Sequence, residues 1–235
     1  MDADDQARWA PLLARGRWFA ALPPGHRTAL LQAGRLLRLP AGATLFQRGD
    51  ANAGLYAVLD GAVRVGASDT PGREAVLSLL GPPQWFGEIA CIDGGPRTHD
   101  AATTAPTTLL LVPQAALLAL AEADAQWWRL LGQLLAEKVR ALFAGLDDLT
   151  QLDAAARVAR RLLAMAQGHG MLAPGVAQRS VAVNQAQLGA MLSLSRQTVS
   201  EVLRDFEARG WVRRGYGAVE LLDWDALAAV GPPAA

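Results

Sequence analysis

The sequence predicts an α+β protein with three parts: an N-terminal antiparallel β-barrel or sandwich, one long helix, and a C-terminal helix-turn-helix followed by a β-hairpin. Three observations predict this fold. Short apolar runs separated by Gly and Pro occupy residues 36–112, a helical pattern covers 126–152, and two capped helical patterns follow. The corresponding domains are residues 1–125, 126–152 and 153–235. A chain of 235 residues with 51% hydrophobic residues is long and apolar enough for more than one core.

Composition limits the classes of protein to consider. The formal net charge is zero, but the part from Asp153 onward carries nine Arg against seven acidic residues, a weak basic bias that fits DNA binding. The single cysteine, Cys91, excludes an internal disulfide and a four-thiolate iron–sulfur cluster from one chain. The sequence contains no long uncharged apolar run, so no membrane span is expected. The acidic N-terminus lacks the features of a signal peptide. We therefore expect a cytoplasmic protein without a membrane partner.

The N-terminal part begins with helices and continues with strands. Apolar residues at helical spacing cover residues 7–37, interrupted by prolines at 23 and 24. Turn signals then separate short apolar runs, among them Asp60 with Gly61, which predict a tight hairpin, and Pro71 with Gly72. The expected strands are residues 36–39, 44–46, 55–59, 62–65, 75–80 and 108–112.

The segment 84–101 contains residues suited to bind an anion. Gly87 lets the backbone approach a ligand, and a helical turn from Glu88 would present free N–H groups. Arg97 could return for a bidentate contact with a phosphate, Thr98 could add a hydroxyl, and Glu88 could accept from sugar hydroxyls. The alternative is that Glu88 and Arg97 simply pair across the loop, since this spacing alone is common.

The long helix carries a coiled-coil-like seam. Trp128, Leu135, Leu142 and Leu149 are spaced by seven, and a second series of the same spacing lies between them. The seam could pack on the chain's own strands, but its length predicts a parallel homodimer. The expected interface residues are Leu135, Val139, Leu142, Leu146 and Leu149.

Residues 184–211 predict a helix-turn-helix. Asn184 and Gln187 form a capping-box pattern, Ser195 stands where an N-cap belongs, and Gly189 is small where the helices must approach each other. The alternative is an ordinary helical hairpin with a solvated face. A serine at the turn, Ser193, would cost about 1 kcal/mol if its backbone is left-handed. The polar face that would contact bases in a major groove comprises Ser195, Arg196, Gln197, Ser200, Glu201 and Arg204.

The segments around this motif complete the C-terminal part. A hairpin turning at Gly215, Tyr216 and Gly217 follows the second helix, and it would bring Arg213 and Arg214 near DNA phosphates. Before the motif lies a Gly- and Pro-rich loop at residues 168–178. His169 in this loop is interpreted as a solvated residue.

The order of these segments resembles the Crp/Fnr family of bacterial transcription regulators over about residues 20–228. The motifs FGEI (86–89), PRT (96–98) and LSRQTVSEVLRDFEARG (194–210) carry the resemblance. It implies a jelly-roll sensor domain of the cyclic-nucleotide-binding type, a dimerisation helix and a winged helix-turn-helix. It also implies a homodimer that binds a pseudo-palindromic DNA operator, contacts RNA polymerase and responds to a small anionic effector.

The resemblance assigns roles to the cassette residues. Gly87, Glu88, Ile89, Arg97 and Thr98 match the phosphate-binding cassette of the family's cAMP-receptor branch. By this likeness Glu88 would hold the ribose hydroxyl, and Arg97 with Thr98 the cyclic phosphate. The effector is therefore expected to be a cyclic nucleotide, of a kind that the sequence leaves open.

Two departures from the cAMP-receptor branch bear on specificity. The polar residues that hydrogen-bond adenine there correspond here to Leu142 and Phe143, which cannot make those bonds. On the recognition helix, Arg196 matches a guanine-reading arginine, whereas Gln197 replaces a glutamate and Glu201 an arginine. Gln197 could read adenine and Glu201 could accept from cytosine, so the half-site should differ.

The sequence leaves two alternative functions open. One is an effector-independent DNA-binding factor that uses the β-domain only for dimerisation and polymerase contact. The other is an enzyme controlled by a cyclic nucleotide, which the sequence does not favour because it shows no nucleophile–base pair, no metal-ligand spacing and no phosphate loop outside the cassette.

Overall fold

The computed structural model describes residues 1–70 and 73–231. The turn expected at Pro71 and Gly72 and the last four residues of the expected C-terminal domain lie outside the described residues. The helices are α1 (Ala3–Leu13), α2 (Arg17–Ala21), α3 (Pro24–Ala33), α4 (Glu88–Asp93), α5 (Gln114–Ala123), α6 (Gln126–Gln151), α7 (Ala154–Ala166), α8 (Gln185–Leu192), α9 (Arg196–Ala208) and α10 (Trp224–Ala228). The strands are β1 (Arg35–Leu39), β2 (Thr44–Phe46), β3 (Gly54–Asp60), β4 (Val63–Thr70), β5 (Arg73–Leu80), β6 (Trp85–Phe86), β7 (Asp100–Thr103), β8 (Thr107–Pro113), β9 (Ser180–Val181), β10 (Val212–Gly215) and β11 (Ala218–Leu221).

Two antiparallel four-stranded sheets form the N-terminal domain. Their strand orders are β1-β8-β3-β6 and β2-β7-β4-β5, and over the described residues they do not close into a barrel. The expected barrel is thus a two-sheet sandwich, because β1 pairs only with β8 and β2 only with β7, which leaves each sheet with open edges. The hairpin expected at Asp60 and Gly61 is wrong, since β3 and β4 belong to different sheets. The chain crosses between sheets there, and a Cβ on Gly61 would lie 2.4 Å from the Pro106 carbonyl oxygen.

Strand β3 is buried on both faces and joins two cores. One face packs between the sheets, where Tyr56 and Val58 meet Phe86 and Leu109. The other face, which includes Leu55, packs against the N-terminal helices, α5 and the first turns of α6. Burial on both faces explains why this strand is a continuous apolar run rather than an alternating pattern.

The C-terminal part forms a third core around α7, the helix pair α8 and α9, and the sheet β10-β11-β9. Val158, Val199, Leu203 and Phe206 are buried in it. The buried apolar side chains of α9, Val199, Leu203 and Phe206, thus lie at intervals of four and three, which defines its buried stripe.

The C-terminal domain also packs on the sandwich. Two β5 side chains, Val76 and Leu79, belong to the third core. The turn after α7 is held by hydrogen bonds to the N-terminal part: Gln84 Nε2 donates to the Gly168 carbonyl at 3.0 Å, and the Arg17 N–H donates to the Met171 carbonyl at 2.8 Å. This contact brings residues of both domains to the rim of one cavity.

Candidate effector cavity and DNA-binding surface

The cassette residues are positioned by the junction of β6 with the short helix α4. Gly87 has a left-handed backbone with φ of 90°, which glycine adopts without strain. A Cβ at this position would lie 2.6 Å from Arg97 Nη1 and 3.1 Å from the Gly54 carbonyl oxygen. Glycine is therefore required here both by the backbone conformation and by the close approach of the Arg97 guanidinium.

Glu88 forms an ion pair with a residue that the sequence did not single out. Its side chain is 3% exposed, and its carboxylate accepts from Lys138 Nζ of α6 at 2.5 Å. The interpretation that Glu88 and Arg97 pair with each other is wrong, because Arg97 is held by other groups. The ion pair instead fastens α4 to the long helix.

Arg97 is buried, and its guanidinium rests on backbone oxygens and aromatic rings. It donates to the Gly87 carbonyl at 3.0 Å and to the Gly54 carbonyl at 2.7 Å, and it stacks 4.4 Å from the Phe46 ring centroid. Its buried Nε atom has no hydrogen-bond partner. Burial raises the pKa of the neighbouring Tyr56 hydroxyl, and Arg97 acts in the opposite direction. One donor of the guanidinium is thus unsatisfied by the protein itself.

All five predicted effector residues line one cavity of about 390 Å³. Volumes in this range are typical of small-molecule sites. Thr98 is exposed, with its hydroxyl 3.0 Å from His99 Nδ1, and Ile89 is 37% exposed. The structure thus brings the cassette together, while the assigned binding roles remain predictions.

The predicted seam residues of α6 line the same cavity. Leu135, Val139, Leu142, Leu146 and Leu149 all face it. Val139, Leu142 and Leu146 are also 37%, 50% and 47% exposed, whereas Leu135 and Leu149 are half-buried.

Phe143, which was not among the predicted interface residues, is 61% exposed and lies beside this stripe. In a single protomer four neighbouring apolar side chains of α6, Val139, Leu142, Phe143 and Leu146, are therefore exposed to solvent.

The far side of the cavity is built by the C-terminal domain. Arg161 of α7 and His169 of the turn after α7 line it, together with Ser78 of β5. The interpretation of His169 as a solvated residue is wrong. Its ring is half-buried with Nε2 3.4 Å from Ser78 Oγ, and burial, together with the Arg161 charge, lowers the pKa of His169 to about 4. Local sequence could not reveal this, because the contact depends on how the domains pack.

The lining of the cavity suits the phosphate of a cyclic nucleotide better than its base. Arg97 supplies a cation for a phosphate, and Glu88 supplies an acceptor that Lys138 already engages. Leu142 and Phe143, where the cAMP-receptor branch has polar groups, offer no hydrogen bonds to a base. The residues therefore fit a phosphate-bearing ligand without fixing the base. Over the described ranges no cluster of three His, Cys, Asp or Glu could hold a metal ion.

The helix-turn-helix geometry follows its sequence signals closely. Asn184 and Gln187 form the complete capping box, and Ser195 accepts from the Thr198 N–H at 3.0 Å. Ser193 is left-handed with φ of 54°, and a Cβ on Gly189 would lie 2.7 Å from the Leu194 carbonyl oxygen. The turn thus places α9 against α8 at a separation that only glycine allows.

The polar face of α9 forms an exposed groove. Arg196, Gln197, Ser200, Glu201 and Arg204 line it, and Ser195 stands exposed at its N-terminal end. Gln197 Nε2 donates to Glu201 Oε1 at 3.0 Å, so the two side chains engage each other across one turn of the helix. The groove presents two arginines around an acceptor-rich pair, a chemistry suited to base edges in a major groove.

The hairpin β10–β11 forms a wing beside this groove. Arg213 pairs with Glu220 at 2.7 Å, and Arg214 pairs with Glu207 of α9 at 2.6 Å. The hydrogen bond from Arg214 lowers the pKa of Glu207. Arg214 therefore fixes the wing on the recognition helix. Tyr216, which the sequence placed only in the turn, is fully exposed at the wing tip.

The sandwich, the long helix and the winged helix-turn-helix together define a class of DNA-binding transcription regulators with an N-terminal sensor-type domain. Residues 36–124 match the cyclic nucleotide-binding domain family, and residues 156–230 match the Crp-like helix-turn-helix domain family. The chain belongs to the Crp/Fnr family of transcription regulators, as its resemblance predicted, and it is a regulator rather than an enzyme.

Individual relatives support this assignment. The chain is 31% identical over 217 residues to a CRP-like cAMP-activated global transcriptional regulator of Mycobacterium tuberculosis, covering 92% of this chain and 97% of the relative. It is 36% identical over 183 residues to the cyclic AMP receptor protein of Thermus thermophilus, covering 77% and 81%. The structure of FixK2 from Bradyrhizobium japonicum matches with a TM-score of 0.73 at 24% identity, covering 86% and 99%, which supports the fold.

Within residues 1–70 and 73–231, no helix combines the length and the apolar character needed to cross a bilayer.

Proposed function

We propose that the protein is a homodimeric transcription regulator that binds a pseudo-palindromic DNA operator under the control of a phosphate-bearing effector, such as a cyclic nucleotide, in the cytoplasm. In this proposal residues 1–125 sense the effector, 126–152 dimerise and 153–235 bind DNA. The main support for this proposal is a single cavity that is lined both by the cassette and by the seam of α6. A ligand there contacts both the sensor and the helix that leads to the DNA-binding domain.

The exposed seam of α6 supports the homodimer. Val139, Leu142 and Leu146 are exposed apolar residues at coiled-coil spacing, and burying each on a twin helix would contribute about 1–2 kcal/mol. A parallel pair of α6 helices would relate two copies of α9 by twofold symmetry. The recognition helices could then enter successive major grooves about 34 Å apart.

Dimerisation is tested by sedimentation of variants of α6. Leu142→Glu should shift the protein to a monomer because it places a charge in the apolar seam. Ala144→Glu is the matched control, since residue 144 is exposed and about 200° further round the helix, away from the seam. A monomeric wild-type protein, or equal dissociation by both variants, contradicts the interface.

Effector binding would control DNA affinity through α6. A ligand that contacts Arg97 and the α6 side chains must bind two arrangements of α6 with different affinity if it is to change the separation of the recognition helices. Glu88 and Lys138 already link the cassette to α6, which supports such coupling.

The effector is tested in two linked experiments. An operator is first selected from random DNA, and its affinity is then measured with and without cAMP, cGMP, cyclic di-GMP and cyclic di-AMP. Isothermal titration of the same ligands, with Arg97→Ala as control, reports binding directly. We expect one ligand to bind, to change operator affinity and to lose both effects in the variant. Ligand binding that leaves operator affinity unchanged contradicts the coupling.

The second candidate is an effector-independent regulator whose sandwich serves only dimerisation and RNA polymerase contact. This candidate is favoured by the contacts that Arg97 makes without a ligand, since both Nη atoms already donate to backbone carbonyls and the guanidinium stacks on Phe46. In that case Glu88→Ala and Arg97→Ala would leave transcription in a reconstituted system with RNA polymerase unchanged.

A further inference from the structure

The cavity carries a second cationic group that no cassette motif includes. Arg161 lies on α7, in the DNA-binding domain, and lines the cavity with His169 and Ser78. It is half-buried, and within the described ranges it forms no ion pair. Asp148 of α6 acts on Arg161 electrostatically but pairs at 3.6 Å with Arg160 instead.

The groups around Arg161 are suited to an oxyanion. A guanidinium and a hydroxyl commonly donate hydrogen bonds to phosphate oxygens, and an imidazole gains a second N–H for this purpose when it is protonated. Ser78 Oγ lies 3.4 Å from His169 Nε2, so these two groups are side by side. Burial lowers the pKa of the Arg161 guanidinium, and the nearby Asp148 carboxylate opposes this shift without forming an ion pair with Arg161.

The backbone holds His169 at this place at a cost. His169 has a left-handed conformation with φ of 55°, which costs a residue other than glycine about 1 kcal/mol or more. Gln84 and Arg17 of the N-terminal part donate hydrogen bonds to the carbonyls of Gly168 and Met171, which flank the turn. These hydrogen bonds hold the turn that contains His169 against the sandwich. Strain kept in place by surrounding contacts is common at binding sites.

The charges of the residues that line the cavity also favour an anionic ligand. Among the described residues, three cationic side chains and one carboxylate line it: Arg97, Lys138, Arg161 and Glu88. Glu88 and Lys138 neutralise each other. One unneutralised arginine therefore remains in each domain, and a ligand with two negative groups would match them.

We propose that Arg161, His169 and Ser78 form a second anion subsite, which binds the second phosphate of an effector that carries two phosphate groups. The proposal rests on the proposed effector function of the cavity and names the ligand class. A nucleotide bound at both Arg97 and Arg161 bridges the sensor and the DNA-binding domain directly. Its binding then favours the arrangement of the two domains in which both arginines face one ligand.

The subsite itself is tested with sulfate, a phosphate-sized dianion. The pKa of His169 is measured by NMR in sulfate and in chloride of equal ionic strength, with the chain's three histidines distinguished by His169→Gln. A bound dianion should raise the pKa of His169 by about one unit. The rise should vanish in Arg161→Gln and persist in Arg157→Gln, a control on the same helix whose guanidinium donates to the Leu152 carbonyl instead. Equal values in sulfate and chloride overturn the subsite.

The ligand class is tested by titration with nucleotides. Cyclic di-GMP, cyclic di-AMP and adenosine 3′,5′-bisphosphate carry two phosphate groups, and cAMP and cGMP carry one. Arg161→Gln should weaken a two-phosphate nucleotide about tenfold or more and leave a one-phosphate nucleotide unchanged. Equal effects on both classes, or no binding by any two-phosphate nucleotide, overturn the ligand class.

The outcomes separate this inference from the proposed function. A sulfate response at His169 without any nucleotide effect on operator affinity retains the subsite and rejects effector control. Nucleotide control of operator affinity that depends on Arg97 but not on Arg161 retains the proposed function and rejects the subsite.

Discussion

Replacing Lys138 with methionine should destabilise the sensor domain, because it leaves a buried carboxylate without its partner. The Glu88 side chain is 3% exposed and that of Lys138 is 22% exposed. Removing one member of a fully buried pair costs about 3–5 kcal/mol, since the remaining charge stays desolvated. Lys138 is partly hydrated, so solvent screening reduces the expected loss to about 2 kcal/mol for Lys138→Met. Lys138→Arg, which keeps the charge, should lose much less.

A double-mutant cycle measures the interaction itself. Glu88→Gln removes the charge that Lys138 compensates, so the double variant Glu88→Gln/Lys138→Met should recover most of the stability lost in Lys138→Met. We expect a coupling energy of about 1–2 kcal/mol from urea unfolding followed by circular dichroism. Additive effects, or a loss below about 0.5 kcal/mol in Lys138→Met, would refute the reasoning by showing that the Glu88 carboxylate is stabilised without Lys138.

Three further predictions concern the DNA-binding domain and its junction. Arg196→Ala should cost about 1–3 kcal/mol on the selected operator and relax base preference at one position, as binding selection would reveal; unchanged preference rejects the contact. Ser193→Gly should raise stability by about 0.5–1 kcal/mol in urea, because residue 193 is left-handed and exposed, whereas Ser193→Ala should not. The pKa of His169 is about 4 when folded, so unfolding takes up a proton and stability should fall as pH falls from about 7 to 5. We expect the free energy of unfolding of His169→Gln to fall by about 1–2 kcal/mol less than that of the wild type over this pH range. An equal dependence on pH in the two proteins would contradict the burial of a neutral His169 ring.

The helix-turn-helix could be predicted almost completely because its signals are local. The caps at Asn184 and Ser195, the close approach at Gly189 and the left-handed Ser193 each depend on neighbours within a few residues. The long helix was likewise readable from its seven-residue spacing, and it ends at Gln151, one residue before the expected end.

Features that depend on distant residues were missed or misinterpreted. The strand Asp100–Thr103 has alanines where strand formers are common, and it exists because it pairs with both β2 and β4. The turn at Asp60 has hairpin chemistry, yet tertiary packing sends the next strand to the other sheet. Lys138 and Arg161 occupy helix positions that look like ordinary surface charges. Only packing of α6 and α7 around the cavity distinguishes them.

The two β5 side chains in the third core determine whether the DNA-binding domain can be separated from the sensor domain. Because Val76 and Leu79 complete the apolar interior around α8, cutting the chain after α6 would leave that interior open at one side. A chimera that joins this DNA-binding domain to another sensor would need matching side chains on the equivalent strand. The evolutionary unit that can be exchanged is therefore larger than the DNA-binding domain, and it includes one strand of the sensor.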